Sequence, residues 1–154
     1  MASQKHLDLL LSGKTLWDTW RRANPDVQAV EPDLHIADLH GADLRGADLH
    51  GADLTEANLQ GADLRGADLQ EADLRNADLR SADLSDAYLR QAHLRWADIR
   101  GAILCRTNLK GADLSKADLR GAELGGAILD KAIFVGANVS RGDLRAYPNR
   151  PAAR

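Results

Sequence analysis

Between residues 32 and 146 an apolar residue returns every five positions, from Leu34 through Leu39 and Leu44 to Leu144, with no insertion or deletion. With that residue taken as a centre, the stretch holds twenty-three pentads, of which 20 have Leu at the centre and three have Ile99, Phe134 or Val139. Two residues earlier stands Ala in 20 pentads, with Pro32, Thr107 and Gly142 the exceptions, and the residue between is Asp in 14 and Asn in three. The other two positions are variable, polar or Gly, as in His40-Gly41 and Arg45-Gly46, so the unit reads A-(D/N)-L-x-x.

A spacing of five excludes one continuous element. On a helix the Leu residues drift around the axis, and on one strand they alternate between faces. What remains is a short extended piece and a turn in every pentad, with the centre and the Ala inward and the variable pair at a corner. Ten pentads carry Gly at the second corner position, where a tight turn can require positive φ. One pentad cannot bury its own Leu, so pentads must stack into a solenoid held by nearest-neighbour contacts.

The run ADLHGADLRGADLHGADL, from Ala37 to Leu54, resembles the pentapeptide-repeat proteins. That resemblance implies an all-β solenoid, a right-handed quadrilateral β-helix with four pentads per coil. Twenty-three pentads would make just under six coils, about 27 Å of rod at about 4.8 Å per coil. The core ladder would then run through Leu39, Leu44, Leu49, Leu54, Leu59 and Leu64 and reach Phe134.

Residues 1–24 lack the repeat. Leu7, Leu10 and Leu11 fit one short helix, Ser12-Gly13 breaks it, and Leu16, Trp17 and Trp20 fit a second that ends at Asn24-Pro25. Short N-terminal α-helices capping the open end of the solenoid are expected, since stacked repeats need their ends covered. Residues 25–31 read as a connector, 32–146 as the β-helix and 147–154 as a tail. The single Cys105 cannot pair within the chain, and no N-terminal apolar run reaches signal-peptide or membrane length, so a cytoplasmic location without membrane attachment is expected.

Charge is uneven along the repeat. Residues 33–73 hold ten acids against Arg45 and Arg65, a net of −8, whereas residues 75–145 hold twelve bases against nine acids, a net of +3. Asp38, Asp43, Asp48, Asp53, Asp63, Asp68 and Asp73 form a candidate acidic patch. Arg80, Arg100 and Arg120 would stack beside Asp78, Asp98 and Asp118 as a ladder of ion pairs. Later pentads replace the outward Asp by Tyr88, His93, Ile103, Ile128 and Ile133. Ile128, Ile133, Phe134, Val135 and Val139 form a candidate interface through which C-terminal coils could form a homodimer.

Several apparent motifs carry no chemistry. Ser12-Gly13-Lys14-Thr15 follows a helix and lacks the upstream Gly of a phosphate loop. Arg141-Gly142-Asp143 and the sequon Asn138-Val139-Ser140 fall in the repeat register, and His35, His40 and His50 stand on different corners, too far apart for a shared metal. With no nucleophile and base in one cleft, neither catalysis nor a cofactor is expected. The reading is a non-catalytic module presenting a rigid surface to an unidentified protein. Its alternative, implied by the family, is a DNA mimic that binds gyrase or topoisomerase IV and confers quinolone resistance. The 14 bases and 19 acids of the repeat net −5, far below a DNA-like charge over that length, and direct nucleic-acid binding is not expected.

Overall fold

The computed structural model describes residues 2–24 and 31–140. Helix α1 (Gln4–Leu11) and helix α2 (Lys14–Ala23) come first, separated by Gly13, whose φ of 107° is open only to glycine at low cost. Both lie against the beginning of the repeat. The backbone N–H of Ser3 donates to the Asp33 carbonyl at 3.0 Å, and the Trp17 indole N–H donates to the Asp48 carbonyl at 2.6 Å. Trp17 is fully buried, with Trp20 tilted beside it at 5.2 Å between ring centroids. No described helix is long and apolar enough to cross a membrane.

Two residues expected in this apolar contact point elsewhere. Leu11 is 55% exposed and Leu16 is 54% exposed. A helix of two or three turns can press only one stripe on its neighbour. In α1 that stripe is His6 and Leu10, one turn apart, with Leu7 half-buried, and in α2 it is Trp17 and Trp20. Leu11 and Leu16 each lie one position off their stripe.

From Asp33 onward every pentad makes one parallel bridge to the residue twenty positions later, from Asp33 with Asp53 through Asp118 with Asn138. A twenty-residue offset is four pentads, so each coil has four sides and four corners. The hydrogen-bond pattern accounts for the backbone of a whole pentad. Leu34 N–H donates to the Asp53 carbonyl at 2.8 Å and Ile36 N–H to the Thr55 carbonyl at 2.9 Å, both one coil on. Asp53 N–H donates one coil back to the Pro32 carbonyl at 2.9 Å, and Ala37 N–H closes the corner on the Leu34 carbonyl at 2.9 Å. The fifth N–H, on the first corner residue, is left for a side chain.

The second corner residue has φ between 57° and 72° at every described corner. Gly fills ten of these corners; the other eleven hold a side chain in the left-handed region, among them Ile36 and Trp96. That conformation costs a non-glycine residue about 1–2 kcal/mol, which the stacked coils override.

Inside, Leu39, Leu44, Leu49, Leu54, Leu59 and Leu64 are all buried, packed with the alanine ladder. Thr107, at an Ala position, is buried too, and its hydroxyl donates to the Leu84 carbonyl at 2.7 Å. Phe134 and Val139 are half-buried and pack on the last described coil. Leu144, Tyr147, the Arg141-Gly142-Asp143 triplet, the tail and most of the connector lie outside the described residues.

Candidate functional site

The twenty-residue offset sorts the outward residues into four columns. The first side carries Asp33, Asp53, Asp73, His93, Asp113 and Ile133. On the second stand Asp38, Asn58, Asp78, Asp98, Asp118 and Asn138. The third carries Asp43, Asp63, Asp83, Ile103 and Glu123, and the fourth Asp48, Asp68, Tyr88, Asn108 and Ile128.

The aspartates are structural before they are anything else. Every one in this register from Asp33 to Asp118 accepts, through Oδ1, the N–H two residues on, at 2.9 to 3.3 Å. This is the fifth donor of the pentad, and its capture explains why Asp or Asn is specified there. Where that first corner residue is Arg, the guanidinium of six pentads also folds back as a fork, Nε to Oδ1 and Nη2 to Oδ2: Arg45 on Asp43, Arg65 on Asp63, Arg75 on Asp73, Arg80 on Asp78, Arg100 on Asp98 and Arg120 on Asp118.

These forks set the titration. Hydrogen bonds from Arg45 hold the Asp43 carboxyl down at about 2. Side-chain bonds from Arg80, Arg100 and Arg120 likewise lower Asp78, Asp98 and Asp118. On the second side two of the three forks reach the next coil as well, Arg80 Nε lying 3.8 Å from Asp98 and Arg100 Nε 3.9 Å from Asp118. The ladder is therefore continuous and internally neutralised.

The seven members of the acidic patch divide by partner. Asp43, Asp63 and Asp73 are held by arginines of their own pentads. Asp48 receives Arg21 of α2 at 3.1 Å. Asp38 accepts from the Asn58 amide, Asp53 from the Thr55 hydroxyl and Asp68 from the Gln70 amide. They also fall on all four sides, so they do not form one patch.

The first and fourth sides break the pattern together. In the single stretch 88–96, Tyr88, Arg90, Gln91, His93, Arg95 and Trp96 are all exposed. Arg90 and Arg95 stand where other pentads place a forked arginine, but Tyr88 and His93 occupy the two aspartate positions. Arg95 has only a distant carboxylate, Asp113 at 4.0 Å. Trp96 is 56% exposed and Tyr88 50% exposed, and Lys116, one coil on, sets its Nζ 4.4 Å from the Trp96 ring centroid. Back along that corner runs an open hollow of about 540 Å³ lined by Trp96, Arg95, Arg75, Asn76, Thr55 and Glu56. Further on, Ile128 and Ile133 are exposed on the same two sides and Val135 on the corner that carries Trp96, between the first and second sides, whereas Phe134 and Val139 turn inward.

Sequence reasoning singled out Tyr88 and His93 but not Arg90, Arg95 or Trp96. The signal was present: an arginine whose residue two positions earlier is not acidic. It also passed over His6, a buried residue of α1 whose Nδ1 accepts from the Asp33 N–H at 3.1 Å and whose ring lies 4.7 Å from that of Trp20. Burial lowers its pKa. His35, by contrast, is tied to Thr55, its Nδ1 lying 2.6 Å from Oγ1, and no group of three or more potential ligands for a metal occurs among the described residues.

A family model described as Pentapeptide repeats matches residues 33–70, 67–106 and 107–145, in 8 copies. No curated protein matches. Among solved structures, a pentapeptide repeat protein (Rfr23) from the cyanobacterium Cyanothece 51142 is 29% identical over 80% of this chain and 96% of its own, with a TM-score of 0.64. One from the Arabidopsis thaliana thylakoid lumen is 30% identical over 67% of this chain and 74% of its own, with a TM-score of 0.47. QnrB1, a plasmid-mediated fluoroquinolone resistance protein, is 23% identical over 68% of this chain and 61% of its own, with a TM-score of 0.37, too loose a superposition to bear on function.

Proposed function

The chain belongs to the pentapeptide-repeat family, whose fold is the right-handed quadrilateral β-helix, and on that premise we propose that it is a non-catalytic cytoplasmic interaction module. It is a rod of just under six coils, started by helices α1 and α2 as a cap, that offers its first and fourth sides to a macromolecular partner. One observation carries this reading. The interior is filled by Leu and Ala, and the large aromatic and aliphatic groups turned to solvent within the repeat, Ile36, Tyr88, Trp96, Ile128, Ile133 and Val135, gather on the fourth side, the first side and the first side's corner with the second. Because exposed Tyr, Trp and Ile add nothing to a solenoid core, their grouping is the mark of an interface.

The test restores the repeat: Tyr88→Asp, His93→Asp, Ile128→Asp and Ile133→Asp with Trp96→Gly. This variant should fold as well as the wild type and lose the partner that wild-type bait captures from host lysate. Retention of the same partner would overturn the assignment of these two sides. Self-association through Ile128, Ile133 and Val135 would give the same surface a second copy as partner, and light scattering of wild type against Ile133→Lys with Val135→Lys reads it directly. The DNA-mimic reading draws on Asp38, Asp53 and Asp68, which no arginine of their own pentads neutralises. Its test is inhibition of gyrase supercoiling that is lost when those three become Asn.

A further inference from the structure

We infer that the first side, from its corner at Trp96 across to the adjoining fourth side, binds single-stranded nucleic acid; this names the partner class within the interaction-module reading and rests on it. Four cations lie together there, Arg90, Arg95, Lys110 and Lys116, and the exchange of Asp for Tyr88 and His93 has removed the carboxylates that fork the corresponding arginines elsewhere. Lys110 stands one coil beyond Arg90, about 4.8 Å along the rod. Asp113 lies 4.0 Å from Arg95, and Asp130 stands one coil beyond Lys110. Most of the other acids of these coils are clasped within ion pairs, including Asp98 by Arg100 and Asp86 by Arg106. Asp68, Glu71 and Asp73 of the preceding coil stand one coil, about 4.8 Å, before Tyr88, Gln91 and His93, and Asp73 is clasped by Arg75. Residues 88–116 hold six bases against Asp98 and Asp113, a net of +4, so the net negative charge of the whole rod does not describe this stretch.

The second requirement for a single strand is a flat surface for bases. Trp96 is covered on one side by Lys116, one coil on, and borders the hollow that extends back through Asn76 and Arg75 to Thr55 and Glu56. A base entering that hollow meets the indole. Its phosphate meets Arg95, and its amino and carbonyl groups meet Glu56, Asn76 and Thr55. A free nucleotide would use the hollow alone. Tyr88, Arg90 and Lys110 lie outside it on the fourth side and its corner and continue the same alternation of ring and cation, which only a strand of several nucleotides would engage. An acidic peptide would satisfy the cations and leave both rings idle.

Fluorescence anisotropy of a labelled ten-nucleotide thymidine strand with the full chain tests this. Binding should be present at 50 mM salt and weaken by 200 mM. Trp96→Asn, which keeps a residue tolerant of the left-handed corner, should weaken it roughly tenfold without shifting the thermal melt. Arg90→Gln and Arg95→Gln should each reduce the salt slope by about 0.7, and Arg100→Gln on the second side should change nothing. The proposal is overturned if the strand does not bind, if Trp96→Asn binds as wild type, if adenosine monophosphate binds as tightly as the strand, or if a poly-glutamate peptide competes with it equally well in wild type and Trp96→Asn. Any of these, with capture of a protein partner still lost in the restored-repeat variant, would leave the interaction module standing and remove only its nucleic-acid partner.

Discussion

The second side of the rod and the first-and-fourth pair are made on the same backbone, from the same pentad, and have been put to different uses. On the second side every described outward residue is Asp or Asn, and Arg80, Arg100 and Arg120 fold onto Asp78, Asp98 and Asp118. On the other two, the column changes character along the rod, from Asp48 and Asp53 to Tyr88 and His93 and then to Ile128 and Ile133. Because the interior ladder is the same beneath both, an outward Asp can be surrendered for only one amide hydrogen bond and one exposed ion pair. Neither contributes more than about 1 kcal/mol. A solenoid of this kind can rewrite a side without endangering its fold.

The contrast collapses if its common frame is removed. Leu64→Asp buries an unpaired charge and should cost more than about 4 kcal/mol, unfolding all sides in one transition by circular dichroism. A melting temperature equal to wild type would show that the inward register is wrong. Acid should act next, at the helical end where the first and fourth sides begin. His6 is held neutral with its pKa lowered by burial, so the unfolded state takes up its proton first. Helix docking is thus fully stable above the ordinary histidine value of about 6.5 and weakens as pH falls below it. Trp17 fluorescence should report this loosening, and His6→Gln, whose amide oxygen can still accept from Asp33, should abolish the pH dependence.

Tyr88→Asp with His93→Asp sharpens the comparison in the other direction. Arg90 and Arg95 gain forks, and stability should rise by about 1 kcal/mol in urea titrations; a loss would mean that the two rings support the rod. The smallest effect is expected on the regular second side itself, where Arg100→Ala should change stability by no more than about 0.5 kcal/mol.

How much of this could be read from the chain is decided by its period. A spacing of five separates inside from outside at once, which is why Leu39 to Leu64 were legible, whereas the capture of a backbone amide by each outward Asp is seen only in the structure. It does not say how many pentads close a coil. The family resemblance supplied four, and the columns that unite Tyr88, Arg90, Arg95 and Trp96 with Lys110 and Lys116 become visible only once that twenty-residue offset is applied. The helices were legible as helices but not as surfaces: Leu11 and Leu16 have the composition of a core, while His6, a titratable residue, takes the buried place. Short helices give the sequence too few turns to declare which stripe faces in.

The direction of the backbone hydrogen bonds has a mechanical consequence. Bonds such as Leu34 N–H to the Asp53 carbonyl run from coil to coil, along the rod. A force that pulls the two ends of the rod apart therefore loads the coils in series, and the weakest terminal coil peels while its neighbours stay intact. Each release frees twenty residues, about 65 Å of extended chain once the lost coil height is subtracted. Under tension along its axis the protein would lengthen in equal steps, a molecular tape that pays out by the coil.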